Sequence, residues 1–360
     1  MPAFLGLPLW SVATPPAGCA LLAVLFGETL GAASLAVSSI VLVASVLVAV
    51  FHAEAIAHRV GEPFGTLVLA LAVTIIEVAL IVSIMLSEGP GVDTLARDTV
   101  FATVMIVCNG VVGICLLTGA MRHHTVAFRV EGTGSALSVL VALTMLSLVL
   151  PEFTTSTSGP TYNLSQLLFA ALSSLLLYGV FVFVQTVRHR DQFMPVGPAD
   201  TGEGSHVPTA GQAWLSLGLL LAALVAVVGL AKLLSPSIQG GVAAIGAPPT
   251  VVGIAIALMV LMPETIAALR AAARNRMQIS LNLALGSGLA TIGLTIPAVA
   301  FVSYLLDKPL TLGLDPKDIV LLAVTLLVSA ITLAGGRATV LQGAVHLVLF
   351  AAFLFLAFVP

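Results

Sequence analysis

The sequence predicts an all-α integral membrane protein with about 11 transmembrane helices, built from one extra N-terminal helix and two inverted five-helix repeats. Three observations predict this fold class. The 360 residues are 59% hydrophobic and only 8% charged, whereas soluble globular domains carry about 25% charged residues. Long apolar runs follow one another almost without a break, which leaves no polar stretch for a separate soluble domain. An acidic residue also stands inside an apolar run in each half of the chain.

The spans follow from the thickness of a bilayer. Its hydrocarbon core is about 30 Å thick, so each crossing helix needs about 20 apolar residues. Divided at its charged and Pro/Gly-rich breaks, the sequence contains eleven such spans. They are 12–30, 35–57, 64–87, 99–121, 133–151, 164–187, 212–233, 242–269, 279–305, 317–334 and 338–358. No Lys or Arg precedes Arg59 and no cleavage pattern is present, so the first span is expected to be retained as a helix.

The positive-inside rule orients these spans. Cytoplasmic loops carry the excess of Lys and Arg. One set of alternate loops holds nine of these residues and the opposite set holds four. The first set is Arg59, Arg122, Arg129, Arg188, Arg190, Arg270, Arg274, Arg276 and Arg337, and the second is Arg97, Lys232, Lys308 and Lys317. The N-terminus is therefore predicted to be cytoplasmic and the C-terminus external.

A segment rich in Pro and Gly divides the chain near its centre. Residues 188–211 also carry three acidic side chains, which is typical of a flexible cytoplasmic linker. The predicted division is an extra helix over 1–34, a first repeat over 35–187, this linker, and a second repeat over 212–360.

The two halves share one pattern. Pro63 precedes Glu77 by fourteen residues, and Pro249 precedes Glu264 by fifteen. Each acidic span is followed by one rich in small and polar residues. Because each repeat has an odd number of helices, the second is inverted relative to the first, as in transporters that bind their substrate near mid-membrane.

Glu77 and Glu264 are the candidate ion ligands. A carboxylate costs about 2.5–3.5 kcal/mol at the centre of a membrane helix, so such residues usually line an ion or proton path. Carboxylates and the carbonyl oxygens freed beside Pro263 are the hard ligands that Ca²⁺ requires. Paired carboxylates in a site of low dielectric constant also tend to hold protons. The pattern therefore predicts a site that carries either a cation or protons, and hence antiport. The alternative is that the glutamates are protonated and only hydrogen-bond between helices.

Further polar residues could complete the site. Six neutral side chains could supply oxygen atoms around the ion, although hydrogen bonding between helices would explain them equally well. They are Thr66, Thr74, Asn109, Thr250, Asn282 and Ser287. Glu54, His58 and Glu62 recur every four residues, so they share one helix face and could form a cation-attracting vestibule or a proton relay. A solvated helix end is the alternative.

The residues around both glutamates resemble a known family. Residues 53–67 and 74–81, 98–102 and 121–123, and 262–264, 275–278 and 283–287 are similar to bacterial calcium/proton antiporters of the cation/Ca²⁺ exchanger superfamily, whose members also carry Na⁺ or K⁺. The resemblance implies ten core helices in two inverted repeats plus one N-terminal helix, in the bacterial inner membrane. It also implies export of cytoplasmic Ca²⁺, or of Na⁺ or K⁺, in exchange for protons, with the essential glutamates at Glu77 and Glu264.

Other classes of function are disfavoured. A proton-independent channel would need no inverted repeat, and an intramembrane protease would need a Ser/His or paired-Asp arrangement inside the spans, which the sequence does not show. The three cysteines have neither metal-ligand spacing nor a disulfide framework, so no cofactor is predicted. The net charge of −3 gives no reason to expect a nucleic-acid partner. The expected partners are inorganic cations, protons and the lipid bilayer.

Overall fold

The computed structural model describes residues 3–4, 6–27, 31–61, 64–86, 91–195, 208–244, 246, 248–308 and 310–359. These residues form fourteen α-helices, several of them continuous through π-helical turns. Helices α1 to α14 are Leu9–Leu25, Ala32–Val60, Phe64–Met85, Leu95–Met105, Val112–His123, Val130–Thr144, Leu150–Phe153, Leu164–Phe183, Ala210–Ala244, Thr250–Ala273, Met277–Ala290, Ile296–Leu306, Pro316–Ala334 and Val340–Phe358.

Short helical turns and strands lie between or before these helices. The π-helical turns are Ile106–Val111, Met145–Val149, Val184–Arg188 and Thr291–Thr295, and Arg190–Phe193 is a 3₁₀-helix. Four two-residue strands, β1 to β4, are Ala3–Phe4, Leu7–Pro8, Val126–Ala127 and Arg337–Ala338. β1 pairs with β2, and β3 pairs with β4, both antiparallel.

The predicted all-α membrane fold is confirmed. Within the described residues, ten helical segments are long and apolar enough to cross a bilayer, and α1 is a shorter apolar helix of 17 residues. Helices can cross because they satisfy every backbone hydrogen bond internally, which lipid cannot do for them. One predicted boundary was wrong. The eighth span was placed from residue 242, whereas α9 continues to Ala244 and α10 begins at Thr250, directly after two prolines that suit a helix start.

The chain forms two compact units. The first contains residues 1–92 and 201–246, and therefore α1, α2, α3 and α9. The second contains residues 93–200 and 247–360 and holds the other ten helices. Each unit thus combines segments from both halves of the sequence. The division into 1–34, 35–187, 188–211 and 212–360 stays a prediction about the repeats.

A buried histidine ties three helices of the first unit together. His52 of α2 contacts the carbonyl oxygen of Ser11 through Nε2 at 2.9 Å and the hydroxyl of Ser216 in α9 through Nδ1 at 3.2 Å. A carbonyl can only accept, so Nε2 carries the proton and donates to Ser11. In the neutral ring, Nδ1 then accepts from the hydroxyl of Ser216. Both ring nitrogens are satisfied, so the histidine can lie fully buried between α1, α2 and α9.

Segments that connect the helices of the second unit meet at its two ends. At one end β3 pairs with β4, the Arg129 N–H donates to Gln278 Oε1 at 2.6 Å, and the Arg129 Nε–H donates to the Met194 carbonyl at 3.0 Å. These bonds join the segments that follow the fourth, sixth, eighth and tenth predicted spans.

The opposite end joins the other set of connections. The Thr311 N–H donates to the Asp93 carbonyl at 3.1 Å, and the Gly313 N–H donates to the Pro160 carbonyl at 3.0 Å. These residues belong to the segments that follow the third, fifth and ninth predicted spans. The connections of this unit therefore alternate between its ends, as the span count predicted, and the excess of arginines makes the first end the predicted cytoplasmic one.

Glycines allow α14 to approach α5 closely. A Cβ added at Gly343 would lie 2.6 Å from the backbone N of Leu117, and one at Gly113 would lie 3.0 Å from the Cβ of His346. Small residues at such crossings let two membrane helices pack backbone to backbone.

Adding a methyl group at this crossing is expected to destabilise the protein. Gly343→Ala should lower the unfolding free energy by about 1–3 kcal/mol, because the new Cβ meets backbone atoms that cannot rotate away. The control is Gly179→Ala in α8, where a Cβ would meet nothing within 4 Å. That change should be neutral or stabilise by up to about 1 kcal/mol. Thermal unfolding in detergent compares the two, and equal shifts would contradict the prediction.

Candidate ion-binding site

Glu77 is buried in the middle of α3. Its side chain is 1% exposed, and it is the only charged residue between Phe64 and Met85. Thr74 lies one turn earlier on the same helix face and is also buried. The structure therefore places a carboxylate and a neutral oxygen side by side in an apolar helix of the first unit, as the sequence predicted.

Glu264 lies in the second unit, in α10. It is the fifteenth of 24 residues in this helix, and its side chain is partly exposed. Pro263 stands directly before it and lacks the N–H that an α-helix would bond to the preceding turn. Apart from Thr250 and Thr265, the other residues of the helix before Arg270 are apolar. Glu264 is therefore well inside its helix, and the proline leaves the carbonyl of Met259, in the preceding turn, without its helical donor.

Two close contacts fix how α10 lies against the helical segment Leu95–His123. A Cβ at Gly253 would lie 2.9 Å from the backbone N of Thr99, and one at Gly119 would lie 3.5 Å from the carbonyl oxygen of Ala272. The contacts are separated by similar lengths in both helices. The two helices therefore run in the same direction and stay in contact at both ends.

This register sets the depth of Glu264. It lies eleven residues after the first contact and eight before the second, which places it at the level of residues 110–111. Those residues belong to the π-helical turn Ile106–Val111, which α10 contacts. Single π-helical turns inside α-helices occur frequently at functional sites.

Asn109 lies in this turn, but its side chain bonds to other helices. Its Nδ2 donates to Thr325 Oγ1 at 2.8 Å, and its Oδ1 accepts from His346 Nδ1 at 3.1 Å. The other ring nitrogen of His346 lies 3.1 Å from Thr332 Oγ1. All four side chains are buried. Of the two alternatives that the sequence left open for Asn109, the structure shows hydrogen bonding between helices.

The other predicted neutral ligands lie in several places. Asn282 bonds to Gln278 Nε2 at 2.9 Å and to the carbonyl of Phe193 at 2.6 Å, near the predicted cytoplasmic end. Thr250 is the first residue of α10, roughly 21 Å along the helix from Glu264.

Two of the predicted neutral ligands remain. Ser287 is partly exposed beside Gly288, where a Cβ would lie 3.5 Å from Val107 of the π-helical turn. Ser287 is therefore near the level of Glu264. Thr66 belongs to α3, and its side chain lies outside the described part.

The predicted vestibule is described only in part. Glu54 and His58 are both exposed in the last two turns of α2. Glu62 lies outside the described residues. Within the part of the chain that the structure describes, no group of three His, Cys, Asp or Glu side chains could hold a metal ion. A bound cation would therefore need neutral oxygen ligands beside its carboxylates.

Sequence reasoning missed several buried polar residues. His346 was not singled out, although it is fully buried among three helices. Its position inside the apolar run of α14 was the signal, because ionisable residues at such depth are rare. Arg97 and Asp98, which form a buried ion pair at 2.8 Å, were also not singled out.

The chain matches a known family over most of its length. The model of the sodium/calcium exchanger protein family matches residues 30–187 and 215–359. The chain belongs to this family. The protein y4hA of Sinorhizobium fredii, named as an ionic transporter, is 48% identical over 360 residues, covering 98% of this chain and 97% of its own length. The sodium-potassium/proton antiporter ChaA of Escherichia coli is 35% identical over 311 residues, covering 85% and 84%.

A solved structure confirms the fold of this exchanger. Native YfkE superposes with a TM-score of 0.74 at 16% identity, covering 98% of this chain and 99% of the other. A second structure of YfkE, described as a Ca²⁺/H⁺ antiporter, has a TM-score of 0.71. The predicted resemblance is thus confirmed. The chain is a multi-pass membrane transporter of the cation-exchanger type, and the members of its family are not enzymes.

Proposed function

We propose that the protein is a secondary active antiporter that exports Ca²⁺, or Na⁺ or K⁺, in exchange for protons by alternating access. Glu77 and Glu264 would bind either the cation or protons. The observation that carries the proposal is one acidic residue deep in an apolar helix of each half of the sequence, in a chain of the exchanger family. No other charged residue lies in α3, and a carboxylate at such a depth can be neutralised by a bound proton or cation.

Charge complementarity favours Ca²⁺ as the first candidate. Two ionised carboxylates carry two negative charges, which one divalent cation or two protons can balance, and hard oxygen ligands suit Ca²⁺. The names of relatives point to the same set of ions, since ChaA is a sodium-potassium/proton antiporter and YfkE a Ca²⁺/H⁺ antiporter.

We also propose a cytoplasmic N-terminus, an external C-terminus and the bacterial inner membrane, because the arginine-rich connections should face the cytoplasm.

Proton release from reconstituted vesicles tests the proposal. Proteoliposomes with an acidic interior and a pH-sensitive dye should lose their pH difference when Ca²⁺, Na⁺ or K⁺ is added outside. Choline should have no effect, and protein-free vesicles should not respond. The ion that acts at the lowest concentration identifies the substrate.

Two outcomes would contradict antiport. One is an unchanged pH difference with all three cations. The other is cation entry that occurs only down the cation gradient, even when a proton gradient is imposed. Such uncoupled flux would indicate a channel.

A further inference from the structure

Asn109 stands at the depth of the proposed ion site but is held from the opposite side. Glu264 lies level with residues 110–111, one residue beyond Asn109, and α10 contacts the π-helical turn that contains them. The amide of Asn109 is occupied by Thr325 of α13 and His346 of α14. Its side chain therefore ties the turn to two helices rather than offering oxygen to an ion.

The bonds of Asn109 form one directed chain. His346 donates from Nδ1 to Asn109 Oδ1, so its Nε2 carries no proton in the neutral ring and accepts from Thr332. Asn109 in turn donates to Thr325, whose hydroxyl lies 3.5 Å from the sulfur of Met105. Every polar atom of the amide and of the ring has a partner.

Glycines bring His346 within reach of the turn. Gly113 lies against the Cβ of His346, and Gly343 lies against the backbone of Leu117, one turn further along α5. Side chains at these two positions would push α14 away from α5. The close crossing and the hydrogen bond thus serve the same contact between α14 and the π-helical turn.

We propose that Asn109 is a positioning residue that fixes the turn Ile106–Val111 beside Glu264, and that the His346–Asn109 hydrogen bond sets the cation affinity of the transporter. The inference rests on the proposed function, because it assigns the bond to the ion site that Glu264 would form. A π-helical turn departs from the regular α-helical hydrogen-bond ladder, so its geometry depends on the groups that hold it. Loss of the bond should let the turn shift and weaken cation binding.

Three replacements of His346 separate this role from general packing. The Nδ2 of asparagine corresponds to His346 Nδ1, so His346→Asn keeps the bond to Asn109 and loses the one to Thr332. The amide of glutamine corresponds to Nε2, so His346→Gln keeps the bond to Thr332 and loses the one to Asn109. His346→Leu loses both. The control for loss of a buried hydroxyl in the same unit is Thr144→Val, since the Thr144 hydroxyl donates to carbonyls of its own helix, those of Leu140 and Val141.

Transport kinetics and amide hydrogen exchange provide two readouts. We expect the Leu and Gln variants to have a KM for the transported cation about tenfold higher than the wild type, with little change in maximal rate. A tenfold change corresponds to the loss of one buried hydrogen bond. The Asn and Thr144→Val variants should stay within about twofold of the wild type. Amides of residues 106–112 should exchange faster in the Leu and Gln variants only.

Two results would overturn the inference. One is that the Asn, Gln and Leu variants of His346 have the same KM and the same rate of hydrogen exchange. His346 would then be a packing residue, even if all three variants unfold at a lower temperature than the wild type. The other is unchanged exchange of residues 106–112 in His346→Leu. Amide hydrogen exchange can be measured without any transport, so it tests the inference even if the wild-type protein does not transport cations. Failure of the wild-type protein to transport cations against protons would instead refute the proposed function.

Discussion

Replacing either Glu77 or Glu264 by glutamine should abolish proton-coupled cation exchange in proteoliposomes while leaving the protein folded. Glutamine has nearly the same shape as glutamate but can neither ionise nor take up a proton, so the variant would lose both the cation ligand and the proton carrier. A neutral amide is also easier to bury than a carboxylate, which argues against unfolding. The measurement is collapse of an imposed pH difference on addition of Ca²⁺, Na⁺ or K⁺.

The matched control is Glu131→Gln. Glu131 is exposed in the first turn of α6, so its variant should transport cations and protons at the wild-type rate. Thermal unfolding of all three variants should stay near that of the wild type. If Glu77→Gln or Glu264→Gln exchanges normally, that glutamate does not carry the ion or the proton and the shared-site mechanism is wrong.

The second large effect is expected at the buried ion pair of the second unit. Arg97 donates from Nε to Asp98 Oδ1 at 2.8 Å and from Nη1 to the Gly313 carbonyl at 3.0 Å, with 9% of its side chain exposed. Arg97→Met would leave the Asp98 carboxylate buried without its counter-charge. Breaking such a pair costs about 3–5 kcal/mol, and the loss of the bond to Gly313 also frees the segment before α13.

Lys317 provides the control for this effect. It pairs with Asp318 at 3.5 Å, but 40% of its side chain is exposed. Exposed pairs contribute about 0–1 kcal/mol, so Lys317→Met should change stability little. The double variant Arg97→Met/Asp98→Leu should recover most of the loss, because it removes the buried charge as well. Denaturant or thermal unfolding in detergent measures all three, and a loss for Arg97→Met no greater than that for Lys317→Met would refute the argument.

The helices could be predicted from the sequence because a bilayer imposes strict conditions on it. Each crossing segment must be long, apolar and helical, so composition alone locates it. Glu77 and Glu264 stood out for the same reason, since a carboxylate in an apolar run is rare. Their burial or depth inside α3 and α10 agrees with that reading, whereas their joint binding of one ion remains a proposal.

The partners of the polar residues could not be predicted. Asn109 was assigned two equally good roles, and only the packing of α13 and α14 against its turn decided between them. His346 is separated from Asn109 by 237 residues, a distance over which no local pattern specifies contact. The end of α9 was misplaced because the run 234–244 contains small and polar residues that helices and connections both accept.

The sequence by itself determined the membrane fold, the approximate spans, their alternation and the two acidic positions. Each of these follows from local composition, because moving charged and polar residues from water into a bilayer costs free energy. The tertiary structure decided which side chains those helices bring together: the chain from Thr325 through Asn109 and His346 to Thr332, and the burial of Arg97 with Asp98. Such contacts depend on how distant helices cross, and crossings are set by packing between glycine-lined faces rather than by the residues of any one helix.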